Sequence, residues 1–171
     1  DKYFEALGGK DKVSAINTLY IESDVDIMGN QAPNTVYIIN GKGYRSEMDF
    51  GGQKIIQGAT DKGGWVQNPM AGQTEPVPMT EEQVKASQSQ LHIGGPLLNY
   101  AEKGNKVELL AKEDVQGVSA HKLKAVTAEG NEFLFFLHPE TYHLLKTVSK
   151  ITMEGQEHET TITYSDYKKT D

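Results

Sequence analysis

The chain has no cysteine, a single arginine and a single tryptophan among its 171 residues. The lack of cysteine excludes disulfides, thiolate metal sites and a cysteine nucleophile, while leaving the compartment open, because many exported proteins carry no disulfide. Arg45 is the only arginine and every other basic residue is a lysine. A planar fork for bidentate recognition of phosphate or carboxylate therefore has one candidate. No apolar run approaches the roughly 20 residues that a membrane-spanning helix needs. The net charge of -7 disfavours nucleic acid as a partner, since such binding relies on clustered Lys and Arg displacing counterions from phosphates. The chain opens at Asp1 with neither methionine nor a signal-like apolar segment, so it is expected to be a processed or excised piece of an exported precursor or a larger protein.

What is present reads as one globular domain over residues 1–171, with 37% hydrophobic and 24% charged residues. Residues 2–16 suggest one and a half helical segments: Tyr3, Phe4 and Leu7 share a face, Gly8 and Gly9 break the run, and Val13 and Ile16 resume it. From Thr18 to Met28 strict alternation takes over, Leu19, Ile21, Val25 and Ile27 against Glu22, Asp24 and Asp26, as in a half-buried strand. Strand-length segments joined by glycine turns follow over 35–40, 44–50, 53–60 and 64–67, and again over 107–115, 118–128, 132–138, 143–153 and 157–167. The expected fold class is α+β, mainly β: a curved antiparallel meander of about ten strands forming an incomplete barrel, because twist accumulates in so wide a sheet.

Between the two runs lies WVQNPMAGQTEPVPM, Trp65 to Met79, which holds the only tryptophan and three of the six prolines. Pro69, Pro76 and Pro78 lack amide donors, so 65–79 is expected to stay out of the sheet as a flap loop at the barrel mouth. Thr80-Glu81-Glu82-Gln83 then spells a capping box for a helix of about three turns running to Gln90. Gly94-Gly95-Pro96 resets the chain before a short second helix over Pro96 to Ala101, so that 80–101 forms a helical lid.

No pattern calls for catalysis or a cofactor. His138 and His143 flank a four-residue hairpin loop, but HExxH spacing is absent and no metal is expected. There is no GxSxG nucleophile elbow, and the pairs Asp24/Asp26 and Glu47/Asp49 alternate with apolar neighbours as a solvated exterior does. In Phe133 to Leu137 both faces are apolar, so each must be covered, one by helices or a ligand and the other by neighbouring structure or a partner. The remaining resource is an apolar interior. Tyr37, Ile39, Tyr44, Met48, Phe50, Trp65, Phe133, Phe135 and Leu137 are expected to line a concave face, with Trp65, Met70 and Met79 as its gate; a plain packed core is the alternative.

The order of these features resembles the LolA/LolB-like superfamily of periplasmic lipoprotein carriers and acceptors. The residues that carry the resemblance are ALGGK at Ala6 to Lys10, GATDKGGWVQNPMAG at Gly58 to Gly72, the proline-rich loop and helix, and a second meander ending in TYSDY at Thr163 to Tyr167. It covers nearly the whole chain. It implies an incomplete barrel with a helical lid whose cavity holds a lipid or lipoprotein acyl chain. The protein would be a non-enzymatic carrier or chaperone in lipoprotein sorting, periplasmic or outer-membrane-associated, with other envelope proteins as further partners. By position, Arg45 is the counterpart of the arginine that holds the carriers' lid closed. Similar modules also serve as sensor domains or are appended to larger exported proteins such as peptidases, which makes a protein-interaction module the second expectation.

Overall fold

A computed structural model describes residues 2–27, 29–153 and 155–168. The chain divides into two compact units, residues 14–95 and residues 1–13 with 96–171. Both are mainly antiparallel β, and among the described residues there are eleven strands in two open meanders.

The unit of residues 14–95 is a six-stranded sheet in sequence order: β1 (Thr18–Ile27), β2 (Asn30–Ile39), β3 (Gly43–Phe50), β4 (Gln53–Thr60), β5 (Gly63–Asn68) and β6 (Gln73–Pro78). The expected strand to Met28 ends at Ile27, and Met28 lies outside the described residues. Tight turns join neighbours, as at Asp49 to Gly52, where Gly51 and Gly52 take positive φ and the Asp49 carboxylate accepts the Gly52 amide at 2.9 Å.

The proline-rich segment is not a flap. A three-residue 3-10 turn, Pro69–Ala71, closes on Gly72 at φ 79, and β6 then pairs with β5 through Val66–Val77 and Trp65–Pro78. The prolines are tolerated because β6 is the sheet's edge. An edge strand uses the amides of one side only, and Pro76 and Pro78, two apart, fall on the same side. Their missing donors also blunt the edge against pairing with other chains.

Beyond β6 the helix α3 (Glu81–Ser87) starts at the capping box: the Gln83 amide donates to Thr80 Oγ1 at 3.2 Å and the Thr80 amide to Gln83 Oε1 at 3.0 Å. Such a cap contributes about 1 kcal/mol. The helix is shorter than expected, passing into a 3-10 turn over Gln88–Leu91, and the second helix is reduced to a 3-10 turn, Gly95–Leu97.

The other unit holds α1 (Lys2–Ala6), α2 (Lys10–Ser14, which ends at the unit boundary) and a sheet in the order β11-β10-β9-β8-β7. Its strands are β7 (Lys106–Val115), β8 (Val118–Val126), β9 (Glu132–Leu137), β10 (Leu144–Met153) and β11 (Gln156–Thr163). The two-sided strand β9 sits at its centre. On one face Phe135 and Leu137 bury against Phe4, Val13, Leu97 and Leu98. On the other face Phe136, 1% exposed, is the middle of a small cluster with Val115, Ala120 and Val148.

Among the described residues, that second cluster contains no helical residue. Register puts Lys122 of β8 and Lys146 of β10 directly beside Phe136, and their aliphatic stems roof the ring. Lys146 Nζ stands 4.0 Å and Lys122 Nζ 5.5 Å from the ring centroid. Glu113 ties both ammonium groups down, at 2.7 Å from Lys122 and 3.6 Å from Lys146, and the Lys122 hydrogen bond holds its carboxyl below the usual range. Two lysines thus form the lid of a core.

Candidate functional site

Because paired residues of antiparallel neighbours share a face, the registers sort the expected site residues into groups. Tyr44, Met48 and Phe50 of β3 lie on one face of the six-stranded sheet, together with Ala59 of β4 and Gly64 of β5. This is the face that α3 and its 3-10 extension cover: Tyr44, Ala59 and Leu91 form a buried cluster with Ile38 and Met79 against it. Met79 packs so closely that a Cβ on Gly64 would stand 2.5 Å from its sulfur and 2.9 Å from the Gly58 carbonyl oxygen, which is why that position has no side chain. Met79 is thus part of the helix seat and not a gate. Met48 and Phe50, further along the same strand face, are half-buried and lie outside the cluster.

Burial raises the Tyr44 phenol from 10.0 to about 12. A phenol that is harder to ionise in the folded state stabilises the fold fully below pH 10, and that contribution is lost as pH climbs towards 12. Replacement of Tyr44 by phenylalanine should therefore lower the tyrosinate absorbance change near pH 12, where Tyr20 also ionises, by one phenol, as difference ultraviolet titration would record. A loss near 10 instead would show Tyr44 to be solvated.

Trp65, Arg45, Tyr37 and Ile39 occupy the opposite face of the same sheet. Register aligns Tyr37, Arg45, Gly58 and Trp65 across β2 to β5, with Ile39, Gly43, Thr60 and Gly63 in the next row. These rows line an open groove of about 500 Å³. Trp65 leans over Gly58, its Nε1 and Cε2 lying 3.3 and 3.4 Å from where a Cβ would be. Arg45 pairs with Glu47, two residues on and on the same face, and so does not hold the helix as expected; strand alternation turns it away from α3. Met70, 55% exposed, sits in the turn between β5 and β6.

The expected contacts in the other unit are packed. Phe135 and Leu137 are core residues beneath α1 and α2, while Phe133 is partly buried at the cluster's margin and stacks on Phe135 at 6.3 Å. His138 and His143 do flank one turn, but His138 Nδ1 accepts the amides of Glu140 and Thr141 at 3.2 and 3.3 Å, and His143 stacks on Tyr167 at 4.5 Å. Among the described residues no group of three or more His, Asp or Glu is placed to hold a metal ion. The groove's glycine floor was not anticipated from sequence. Its signal was present in Gly43, Gly58 and Gly63, which parity places on one face once the registers are known.

No protein-family model and no curated protein matches the sequence. Solved structures do. The chain is similar to a LolA superfamily protein from Nitrosomonas europaea, with a TM-score of 0.51 and 10% identity over 98% of this chain and 78% of that one. It is likewise similar to an outer membrane lipoprotein-sorting protein domain from Vibrio parahaemolyticus, with a TM-score of 0.50 and 13% identity over 98% and 78% of the respective chains. At these identities the likeness establishes the fold.

Proposed function

From a LolA-like fold, we propose that this chain is a non-enzymatic cell-envelope protein that holds a lipid or a lipoprotein acyl chain against the helix-covered face of its six-stranded sheet. The observation that carries this reading is the state of β3: one face runs from Tyr44, buried under Leu91, to Met48 and Phe50, which are apolar, only half-buried and outside the helix seat. Met48 and Phe50 are the contacts assigned to the acyl chain. Methionine suits such a surface because its unbranched thioether adapts to a flexible ligand. The periplasm or the outer-membrane surface is the proposed location. Among the described residues no helix is long and apolar enough to cross a membrane.

Protein purified without detergent is expected to carry lipid adducts in native mass spectra, or to take up a fluorescent fatty acid that added phospholipid displaces. Phe50→Glu, which puts a charge on the apolar strip, should weaken uptake by about tenfold or more. Wild-type protein that neither retains nor takes up lipid would overturn the proposal and turn attention to a protein-interaction module. An unchanged affinity in Phe50→Glu would remove β3 from the site.

A further inference from the structure

The groove on the face away from α3 carries a separate chemistry, and we propose that it is a binding site for the sugar rings of an uncharged glycan. Its floor is low: Gly43, Gly58 and Gly63 carry no side chain, Arg45 and Thr60 stand between them, and Trp65 lies over Gly58 opposite Tyr37 and Ile39. Tyr37 and Trp65 lie three strand spacings apart along the backbone, and because Trp65 leans over Gly58 the gap between the rings is about two spacings, ~10 Å at ~4.8 Å per strand, room for about one pyranose ring.

Both walls are aromatic. Tyr37 is 48% exposed, and Tyr20, 49% exposed, lies against it at 4.8 Å and extends the platform onto β1. With Ile39, 54% exposed, they make a contiguous apolar surface of the kind that marks an interaction site. The C–H faces of a pyranose stack on such rings, and the Tyr20 hydroxyl, donated to Glu22 Oε1 at 2.7 Å, holds its ring in place.

The polar group in the groove suits hydroxyls. Arg45, which lines the groove, forms an ion pair with Glu47, whose other carboxylate oxygen stands 4.0 Å from Lys54 Nζ. Vicinal hydroxyls, each both donor and acceptor, satisfy that pair, whereas an anionic ligand would compete with Glu47 for Arg45. An acyl chain would bury the pair with nothing in exchange. An extended peptide would find no free backbone to pair with, because β3 and β4 are hydrogen-bonded on both sides.

Gly63 supplies the test. A Cβ there meets no atom within 4 Å and its φ lies outside the left-handed region, so Gly63→Leu puts a side chain into the groove without straining the fold. N,N′,N″-Triacetylchitotriose, cellohexaose and maltohexaose would be titrated into the intact protein by calorimetry, with emission of Trp65, the only tryptophan, as a second readout. At least one sugar is expected to bind in the millimolar range or tighter and to shift the emission. Gly63→Leu should weaken that binding about tenfold or more, and Arg45→Met should weaken it too, both with unchanged melting temperature and lipid uptake. Phe50→Glu should leave sugar binding unaltered, which separates this site from the lipid face. Absence of binding by all three sugars, or equal affinity in Gly63→Leu, overturns the proposal.

Discussion

Truncating Phe136 to alanine is expected to destabilise the protein by about 3–5 kcal/mol, the range for deleting a fully buried aromatic side chain. The ring is 1% exposed, and Val115, Ala120 and Val148 surround it in a cluster that, among the described residues, holds no helical residue. Nothing nearby collapses readily into the space. Lys122 and Lys146 roof the site from above, but Glu113 anchors their ammonium groups and fixes the stems. For a chain of this size the melting temperature should fall by roughly 10 °C, measured by circular dichroism. Lys146→Met gives the comparison: it keeps an apolar stem over the ring and removes the cation–π contact and the 3.6 Å ion pair with Glu113, so it should cost about 1 kcal/mol. If Phe136→Ala and Lys146→Met proved equally mild, the roof would be an exposed surface and not a core.

Leu91→Ala is expected to cost about 2–5 kcal/mol, with the reporter in the other unit. Leu91 is 1% exposed and is the side chain through which the 3-10 extension of α3 sits on Tyr44 and Ala59. Trp65 belongs to the same unit, so its emission follows this loss, whereas Phe136→Ala acts on the unit that lacks a tryptophan. The variant carries a second signature. Opening the space over Tyr44 admits water, and its phenol should then ionise closer to the ordinary 10.0 than to about 12. A destabilised variant with an unmoved Tyr44 titration would mean that Leu91 stabilises the helix itself without covering the sheet.

Ten of the eleven strands could be read from alternation and glycine turns, because a half-buried strand prints its two faces as period two. The capping box at Thr80 was equally legible, since both of its hydrogen bonds are local. The eleventh strand, β6, was hidden by Pro76 and Pro78. Prolines argue against a strand only if both of its sides are paired, and whether Gln73–Pro78 is an edge depends on where the meander stops. The expected site residues divide between two faces for a related reason. Tyr44 and Arg45 are adjacent and therefore face opposite ways, so a list containing Tyr44, Met48, Phe50 and also Trp65 and Arg45 spans both sides of one sheet.

By itself, then, the sequence determined what is local: strand periodicity, turn positions, the helix start, the absence of thiol chemistry and of an HExxH motif, and a net charge of -7. Only the tertiary structure decided which strand forms the edge, that β9 is roofed by lysines on one side and helices on the other, and that Trp65 stands over Gly58 on the face away from α3. The physical reason is that alternation assigns residues to two faces without saying what covers either. Cover is set by register and by long-range packing, which side chains distant in sequence supply together.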